Sequence, residues 1–352
     1  MATPTLPIRR LLAAGLIKGS AWGTAIALGA GGGVLVLEGA GLDRSQPYLP
    51  AEEMDTDFPF EGDLGLIDPV SFTIPFHVRY DGGRLWTAIA GFFGIAGVPV
   101  SNLIATVPKS YTHTLAWANE IVGNFITYAE EFPNQIYEVA SAKVKAVEIT
   151  VDGGLIRGSI ECVGNTLINT SAINTLTQMD ALTYVDRGNR VKFSQGSVKI
   201  NAQAGADVSA ETALASLASF TIRFERPSDE VPGLGSQTIQ EGIDGPSPVV
   251  TVSLSFNRMN ATNDDLFATM IAETEQKMAV SFTGALIEGT LYYGLAFNFP
   301  RMRVIKATPI SDQVTRFEAS FRAEQAVTAP TGMTLTLPYI VLSNLATADY
   351  LA

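Results

Sequence analysis

The chain has 352 residues, enough for two domains, and its 35 acidic residues outnumber its 23 basic residues to give a formal net charge of −12. This balance argues against a nucleic-acid-binding protein, which needs clustered lysine and arginine side chains to displace counterions from phosphates. A single cysteine excludes an intrachain disulfide, and a charged fraction of only 16% suggests that other subunits cover part of the surface.

The N-terminal segment has two interpretations. Arg9 and Arg10 precede an apolar run over residues 11–17, which resembles the start of a secretory signal peptide. Lys18 ends that run, a glycine-rich stretch follows, and no uncharged apolar segment is long enough to cross a bilayer. We therefore favour a buried N-terminal arm, followed by a first strand over residues 34–37.

Strict alternation of apolar and polar residues predicts a strand over residues 70–80, with Phe72 on the apolar side and Thr73 on the polar side. Pro75 cannot donate a ladder hydrogen bond, so it predicts a sheet edge or a bulge. The same alternation predicts four further strands, over residues 155–163, 219–226, 250–258 and 315–323.

Two short helices are predicted between these strands. Asn263 is the expected N-cap of the second helix, and the aspartates after it favour the positive end of the helix dipole. Trp86 and Phe267 are expected in the core. The apolar residues at helical spacing are Leu85, Trp86, Ile89, Phe92 and Phe93 in the first helix and Leu266, Phe267, Met270 and Ile271 in the second.

These elements recur in the same order, which indicates an internal duplication. Ile67-Asp68-Pro69 precedes the first long strand, and Ile243-Asp244-Gly245-Pro246 precedes the second. Lys143-Val144-Lys145 in the first half corresponds to Arg301-Met302-Arg303 in the second half. The connections over residues 43–68 and 227–246 are long enough to suggest a function, here the reach to a neighbouring subunit.

The duplication divides the chain into four parts. Residues 1–165 comprise the N-terminal arm and a first β-rich domain, residues 166–189 a linker, residues 190–330 a second β-rich domain, and residues 331–352 a C-terminal extension. The fold class is mainly β (α+β), with a short helix flanking each domain. The second domain is expected to open with a hairpin over residues 190–200 that turns near Gln195 and Gly196.

No catalytic constellation is found. Cys162 falls on the apolar side of its strand and His77 on the polar side of another strand, so a cysteine–histidine dyad is not expected. His113 is expected on the polar face of a hairpin strand. The sequence therefore predicts no enzyme, no catalytic residue, no cofactor-binding residue, no cofactor and no metal site.

Two clusters contain the residue types of a known ligand site, a dinucleotide site and a calcium site, but their residues are not spaced as those sites require. The glycines at positions 29 and 31–33 precede a strand-like segment, so a dinucleotide would find no helix N-terminus for its phosphates. An acidic run lacks the glycine and the closing glutamate of a calcium loop, and a solvated acidic loop is favoured. That run comprises Glu52, Glu53, Asp55, Asp57, Glu61 and Asp63.

The recurring basic residues Lys143, Lys145, Arg301 and Arg303 leave two alternatives open. One is a ring of positive charge in an assembly. The other is ion pairing with the acidic loops of neighbouring subunits, and we favour this second alternative.

Over most of its length the sequence resembles the major tail tube proteins of long-tailed bacteriophages, and the order of four segments carries the resemblance. These are Gly23-Thr24-Ala25, the long connection into residues 70–80 with its following helix, Val191-Lys192-Phe193-Ser194-Gln195-Gly196, and Phe299-Pro300-Arg301-Met302-Arg303-Val304 with the closing strand.

The resemblance implies two tandem tube-like domains, each a β-sandwich or half-barrel, and a mechanical role. Many such proteins have one domain per subunit and six subunits per ring, so three of these duplicated chains would complete a pseudo-sixfold ring. Stacked rings would form the tail tube, the conduit for genome passage into the host, and the long loops would bridge the rings. The polar residues Ser71, Thr73 and His77, and Thr251, Ser253, Ser255 and Asn257, would line the channel.

The implied partners are further copies of the chain, the tape measure protein and DNA in the lumen without specific binding, and the tail-tip and tail-terminator proteins. The implied location is the phage tail of the virion, with the host cytoplasm before assembly and no membrane. The alternatives are another ring-forming tail component (a tail-tip, tail-completion or decoration protein) and a carbohydrate-binding β-sandwich.

Overall fold

The computed structural model describes residues 13–19, 21–38, 41–50, 62–81, 83–104, 107–121, 123–133, 135–185, 187–245, 247–311 and 313–352. This part of the chain is mainly β, which confirms the predicted fold class. The helices are α1 Arg84–Phe93, α2 Leu176–Asp180 and α3 Ala261–Ile271, and 3₁₀ turns occur at Phe193–Gln195 and Val208–Ala210. The strands are β1 Ala13–Gly19, β2 Gly41–Asp43, β3 Tyr48–Pro50, β4 Gly62–Leu64, β5 Val70–His77, β6 Gly94–Ala96, β7 Val100–Ile104, β8 Val107–Trp117, β9 Phe125–Phe132, β10 Gln135–Asp152, β11 Arg157–Gly164, β12 Leu167–Ile168, β13 Gly196–Ala202, β14 Leu217–Glu225, β15 Ser228–Asp229, β16 Ile243–Asp244, β17 Val249–Phe256, β18 Gln276–Glu288, β19 Leu291–Ile310, β20 Arg316–Glu324 and β21 Tyr339–Asn344.

The five strands predicted from alternation are present as β5, β11, β14, β17 and β20. Their apolar sides are buried in one core cluster, because every second side chain of a strand points to the same face. Pro75 lies in a continuous register with Ser159 of β11, so no bulge is present. On its other side, among the described residues, the backbone N–H of Leu37 donates to its carbonyl at 2.7 Å.

Eight strands form one antiparallel sheet in the order β2–β5–β11–β10–β14–β17–β20–β19, here called the eight-stranded sheet. The N-terminal halves of the long strands β10 and β19 instead pair with β9 and β18, which in turn pair with β1 and β13. The ladder β1–β9–β10–β11–β5–β2 is therefore repeated as β13–β18–β19–β20–β17–β14. This repetition supports the predicted duplication, and we call the two ladders the first and second copy.

Two β-bulges recur at matching places in the two copies. The register of β10 with β11 skips Lys145, and the register of β19 with β20 skips Ile305. A second register shift occurs where β10 pairs with β9, over residues 139–142, and where β19 pairs with β18, over residues 299–302. The bulges make Lys145 the counterpart of Ile305 and Lys143 the counterpart of Arg303, so the predicted correspondence of residues 143–145 with 301–303 is wrong by two positions.

The two long connections also match each other. The N–H of Gly65 donates to the carbonyl of Pro47 at 2.8 Å, and the N–H of Gly245 donates to the carbonyl of Pro227 at 2.7 Å. Each connection carries a two-stranded pair, β3 with β4 and β15 with β16. Residues of the first connection thus correspond to residues 180 positions later, and Leu64 rather than Asp68 is the counterpart of Asp244.

The copies differ around their helices. An insertion in the first copy, β6 to β8, packs against α1, and β8 also pairs with β21 beside β19. Trp86 on α1 is 3% exposed, whereas Phe267 on α3 is 46% exposed. The prediction that Phe267 lies in the core is therefore wrong, since the second copy has no equivalent insertion over its helix.

Three local predictions are wrong. Residues 34–37 form only an isolated bridge at Val36, and the first strand among the described residues is β1, where period-two alternation is weak. Residues 190–200 form no hairpin, because a 3₁₀ turn leads directly into β13. Helix α3 begins at Ala261, so Asn263 lies inside it and is not its N-cap. The predicted domain boundaries stay a prediction.

Candidate functional site

The polar face of the eight-stranded sheet is a continuous surface that the fold builds from both copies. Residues opposite one another in an antiparallel ladder point to the same face. One row crosses seven strands and contains only polar side chains. Its members are His77, Arg157, Thr150, Thr221, Ser253, Ser320 and Lys306.

The charges on this face are nearly balanced, which distinguishes it from a nucleic-acid-binding surface. Arg223 lies at its centre and bonds three carboxylates, with Nη1 2.7 Å from Glu161, Nη1 3.3 Å from Glu148 and Nε 3.2 Å from Glu225. These hydrogen bonds, above all those with Glu161, raise the pKa of Arg223. Towards one end, Lys306 pairs with Glu318 at 3.4 Å. The acidic residues are Asp43, Glu148, Asp152, Glu161, Glu225, Glu318 and Glu324, and the basic residues are Arg157, Arg223, Arg301, Arg303, Lys306, Arg316 and Arg322.

The structure brings the predicted channel-lining residues onto this one face. Thr73 is exposed and lies opposite Glu161, while Ser253 is exposed and lies opposite Thr221 and Ser320. The hydroxyls of Ser253 and Ser320 are 3.2 Å apart. Asn257 is exposed but follows the end of β17. Which way this face is turned in an assembly stays a prediction.

The two copies are joined by a ladder between β10 and β14, here called the internal junction. It runs from the pair Ala146 and Glu225 to the pair Asp152 and Ser219. Beyond the ladder, the backbone N–H of Arg226 donates to the carbonyl of Lys145 at 2.8 Å. The second long connection then crosses onto the first copy.

Asp244 fastens that connection to the first copy. Its carboxylate accepts from Lys143 Nζ at 3.2 Å and from the backbone N–H of Ile121 at 2.9 Å, and lies 3.6 Å from Arg226. Lys143 also donates to the carbonyl of Gly242 at 2.7 Å. The side chains of Asp244, Lys143 and Arg226 are almost fully buried, and burial lowers the pKa of Arg226. Buried charges of this kind are tolerated when they are paired and hydrogen-bonded.

The recurring basic residues form ion pairs within one chain, and the favoured alternative, pairing with the acidic loops of neighbouring subunits, stays a prediction. Lys145 pairs with Glu230 of the second long connection at 2.8 Å, and Lys143 pairs with Asp244 of the same connection. Arg303 lies 2.9 Å from Glu275 and 3.3 Å from Glu324, and Arg301 pairs with the same two carboxylates. The pairing in the first copy is between copies, and in the second copy it is local.

The cysteine and the histidines are not brought together. Cys162 is buried opposite Phe72, and desolvation raises the pKa of its thiol. His77 lies at the other end of β5 on the polar face, where desolvation lowers its pKa. His113 is 1% exposed, with Nε2 3.0 Å from the carbonyl of Ala346, so its predicted place on a polar face is wrong. The C-terminal segment covers it.

The predicted ligand clusters build no site in the described part of the chain. Residues 29–33 form a turn that does not lead into a helix. Among the described residues, no group of His, Cys, Asp and Glu side chains could hold a metal ion. Asp63 is exposed in β4. No helix in the described ranges is long and apolar enough to cross a membrane. The other members of the acidic run, Glu52, Glu53, Asp55, Asp57 and Glu61, lie outside the described residues, as do Arg9 and Arg10.

The Arg223 cluster and the Asp244 contacts were missed by the sequence analysis. The available signal was the constant spacing of Pro47 and Pro227, Gly62 and Gly242, and Gly65 and Gly245, each 180 residues apart. That spacing aligns the long connections and aligns β2 and β5 with β14 and β17, whereas β10 and β19 align at a spacing of 160 residues.

The two end strands of the eight-stranded sheet are counterparts of β10 and β14, the strands that pair at the internal junction. Its first strand, β2, is the counterpart of β14, and its last strand, β19, is the counterpart of β10. Within the described residues, β2 and the half of β19 after Met302 each pair with strands on one side alone. The chain thus contains one complete junction, β10 with β14, and two free edge strands, β19 and β2, that could form a second junction of the same kind with other chains.

Comparisons with known proteins add little to this geometry. No family model matches the sequence, and no curated protein matches it. A solved structure that resembles part of the chain comes from the virion of a native gene transfer agent (GTA) particle. It is 11% identical, covers 38% of this chain and 94% of that one, and has a TM-score of 0.28. A TM-score this low does not establish a shared fold, so neither the fold nor the role of this chain rests on the match.

Proposed function

We propose that this is a structural virion protein that assembles head to tail into rings, and that the rings stack into the tube of a phage tail. The observation that supports the proposal is the relation between the internal junction and the two ends of the eight-stranded sheet. Inside a chain, β10 of the first copy pairs with β14 of the second copy. Their counterparts, β19 and β2, are the strands at the two free ends of the sheet. A heterologous contact of this kind closes into a ring when the rotation per step permits it.

Three chains per ring are proposed because each chain carries two copies of the ladder. We assume that neighbouring chains are related by the same rotation as the two copies within a chain. Junctions inside a chain and junctions between chains then alternate around the ring. Ring closure removes the two open sheet edges, which would otherwise be sites of uncontrolled pairing. The count of six copies comes from the resemblance to tail tube proteins.

The polar face suits the inside of such a ring. Its hydroxyl groups and paired charges hold water, and its basic side chains at Arg223, Arg301, Arg303 and Lys306 are paired with carboxylates. In the described part of the chain, the face presents no Phe, Tyr or Trp ring on which bases would stack. DNA would therefore pass without specific binding. In this proposal the tape measure protein occupies the lumen before DNA, tail-tip and tail-terminator proteins bind the tube ends, and the chain has no enzymatic activity.

Electron microscopy of the purified protein tests the proposal. We expect hollow tubes or stacked rings, and native mass spectrometry of the smallest ring should give three chains. A protein that stays monomeric at high concentration and across salt conditions would contradict the function. Six chains in a ring would contradict the use of both copies at the lumen.

A second ring-forming role, as a tail-tip, tail-completion or decoration component, shares the same free edges. Discrete single rings that never stack, even at high concentration, would favour it over a tube protein.

A further inference from the structure

Three large apolar side chains are exposed near the two ends of the eight-stranded sheet. Tyr48 in β3 is 57% exposed, Leu64 in β4 is 63% exposed, and Ile305 in β19 is 56% exposed. Tyr48 and Leu64 are paired in register, and the connection that carries them begins where β2 ends. Exposed apolar side chains that cluster at sheet edges mark an interaction surface.

The counterparts of these residues meet at the internal junction. Tyr48 corresponds to Ser228 and Leu64 to Asp244 by the 180-residue spacing, and Ile305 corresponds to Lys145 by the shared bulge. Inside the chain, Lys145 lies beside the segment at Arg226 and Ser228, and Asp244 lies beside Lys143. The polar residues of the internal junction are thus replaced by apolar ones at the two free ends.

We propose that Tyr48 and Leu64 of one chain pack against the edge at Ile305 of the next chain, where the occupant is a second copy of this protein. This inference rests on the ring of the proposed function and identifies its contact surface. It also explains why three apolar side chains face solvent in the isolated chain. The intersubunit junction is apolar where the internal junction is ionic.

The main-chain part of the contact follows the internal pattern. The N–H of Gln46 would donate to the carbonyl of Ile305, as the N–H of Arg226 does to that of Lys145 at 2.8 Å. Arg303 would reach the carbonyl of Gly62, as Lys143 reaches that of Gly242. Pro309 is the counterpart of Ile149, which lies opposite Ile222, and a proline has no N–H to give. The intersubunit ladder therefore has one hydrogen bond fewer.

Cross-linking with a short bismaleimide tests the contact. A Tyr48→Cys and Ile305→Cys double variant should give covalent dimers and trimers on a denaturing gel, and each single variant should give none. The matched control, Ser228→Cys with Lys145→Cys, should cross-link within one chain and shows that the reagent spans this geometry. Rings that form without any Tyr48–Ile305 product would overturn the inference and leave the proposed function standing.

A substitution at the same place gives an independent measurement. Ile305→Lys installs the residue that the first copy carries, without an acidic partner, and should raise the protein concentration needed for ring assembly by about tenfold or more. Val327→Lys, at an apolar side chain that is 90% exposed and follows the end of β20, outside the β19–β20 ladder, should leave assembly unchanged. Equal assembly of both variants would overturn the inference, and failure of the wild type to assemble would instead count against the proposed function.

Discussion

The guanidinium of Arg226 lies over the indole of Trp117, with its Cζ 4.6 Å from the ring centre. Arg226 opens the second long connection, and Trp117 ends the strand that is inserted in the first copy. The guanidinium also donates to the carbonyl of Ala118 at 2.9 Å. A connection that belongs to the second copy by sequence is therefore held by the first copy, and the two copies are expected to unfold together.

Removal of the Asp244 carboxylate should destabilise the protein strongly. Asp244→Ala leaves Lys143 and Arg226 buried without their shared counter-charge, and the expected loss in the free energy of unfolding is about 3–5 kcal/mol. Denaturant unfolding measures the change. Glu241→Ala is the control, because its more exposed carboxylate lies 3.4 Å from the same lysine and should cost less than about 1 kcal/mol. Equal losses in both variants would refute the role given to Asp244.

Arg223 is expected to hold the polar face together through charge. Arg223→Ala leaves Glu148, Glu161 and Glu225 close together without a counter-ion and should cost roughly 1–2 kcal/mol at low salt. Added salt screens the repulsion that remains, so the difference from the wild type should shrink between low and high ionic strength. A difference independent of salt would show that packing, and not charge, is the cause.

Cys162 should be inert to thiol reagents in the folded protein. Its side chain is 2% exposed and burial raises its pKa, so thiolate is scarce and shielded. We expect no labelling by a maleimide under native conditions and full labelling in denaturant, as mass spectrometry reports. A Ser253→Cys variant, with its thiol on the exposed polar face, should label at once. Fast labelling of Cys162 in the native wild type would contradict its buried position.

His113 should make the folded protein less stable in mild acid. Desolvation lowers its pKa below the ordinary value of 6.5, so below that pH the unfolded chain binds a proton at this site that the folded chain does not. Stability is then lost as the pH falls through this window. His113→Gln keeps a donor for the carbonyl of Ala346 and has no proton to bind.

The measurement is the free energy of unfolding of both proteins at pH 8 and pH 5.5. The advantage of the wild type should be smaller at pH 5.5. Glu130 acts in the opposite direction, since burial raises its pKa, but it is present in both proteins and cancels in the comparison. An equal difference at the two pH values would show that His113 does not titrate between the folded and unfolded states.

The strands with a clean alternation were predictable from the sequence, because one buried face and one polar face are visible in the residues themselves. β5 and β17 are examples, and both begin within one residue of the predicted start. β1 was not predictable, since Ala13, Gly15 and Gly19 carry little side-chain information and its place depends on pairing with β9. His113 was misplaced for a similar reason: its cover comes from residues more than 200 positions away.

The sequence allowed the polar positions of the individual strands to be predicted. It did not allow a prediction of which strands are neighbours, and therefore of the surface that these positions form together. Nothing local says that Glu148 of one copy and Arg223 of the other are neighbours, because that pairing depends on the order of strands across the internal junction. The alignment of the two long connections could have been read correctly from their prolines and glycines. The basic residues follow a different spacing, 160 residues, because the first copy carries the β6–β8 insertion and the segments before the long strands differ in length.

Pro309 gives each proposed ring its weakest joint. Under tension, a series of joints fails at the one with the fewest bonds. The internal junction has covalent continuity behind it and a residue with an N–H at Ile149, whereas the joint between chains has neither. Mechanical overload would therefore release whole, intact chains and spare the fold inside each of them. The same proline leaves the edge of an unassembled chain a poor template for strand pairing with unrelated proteins.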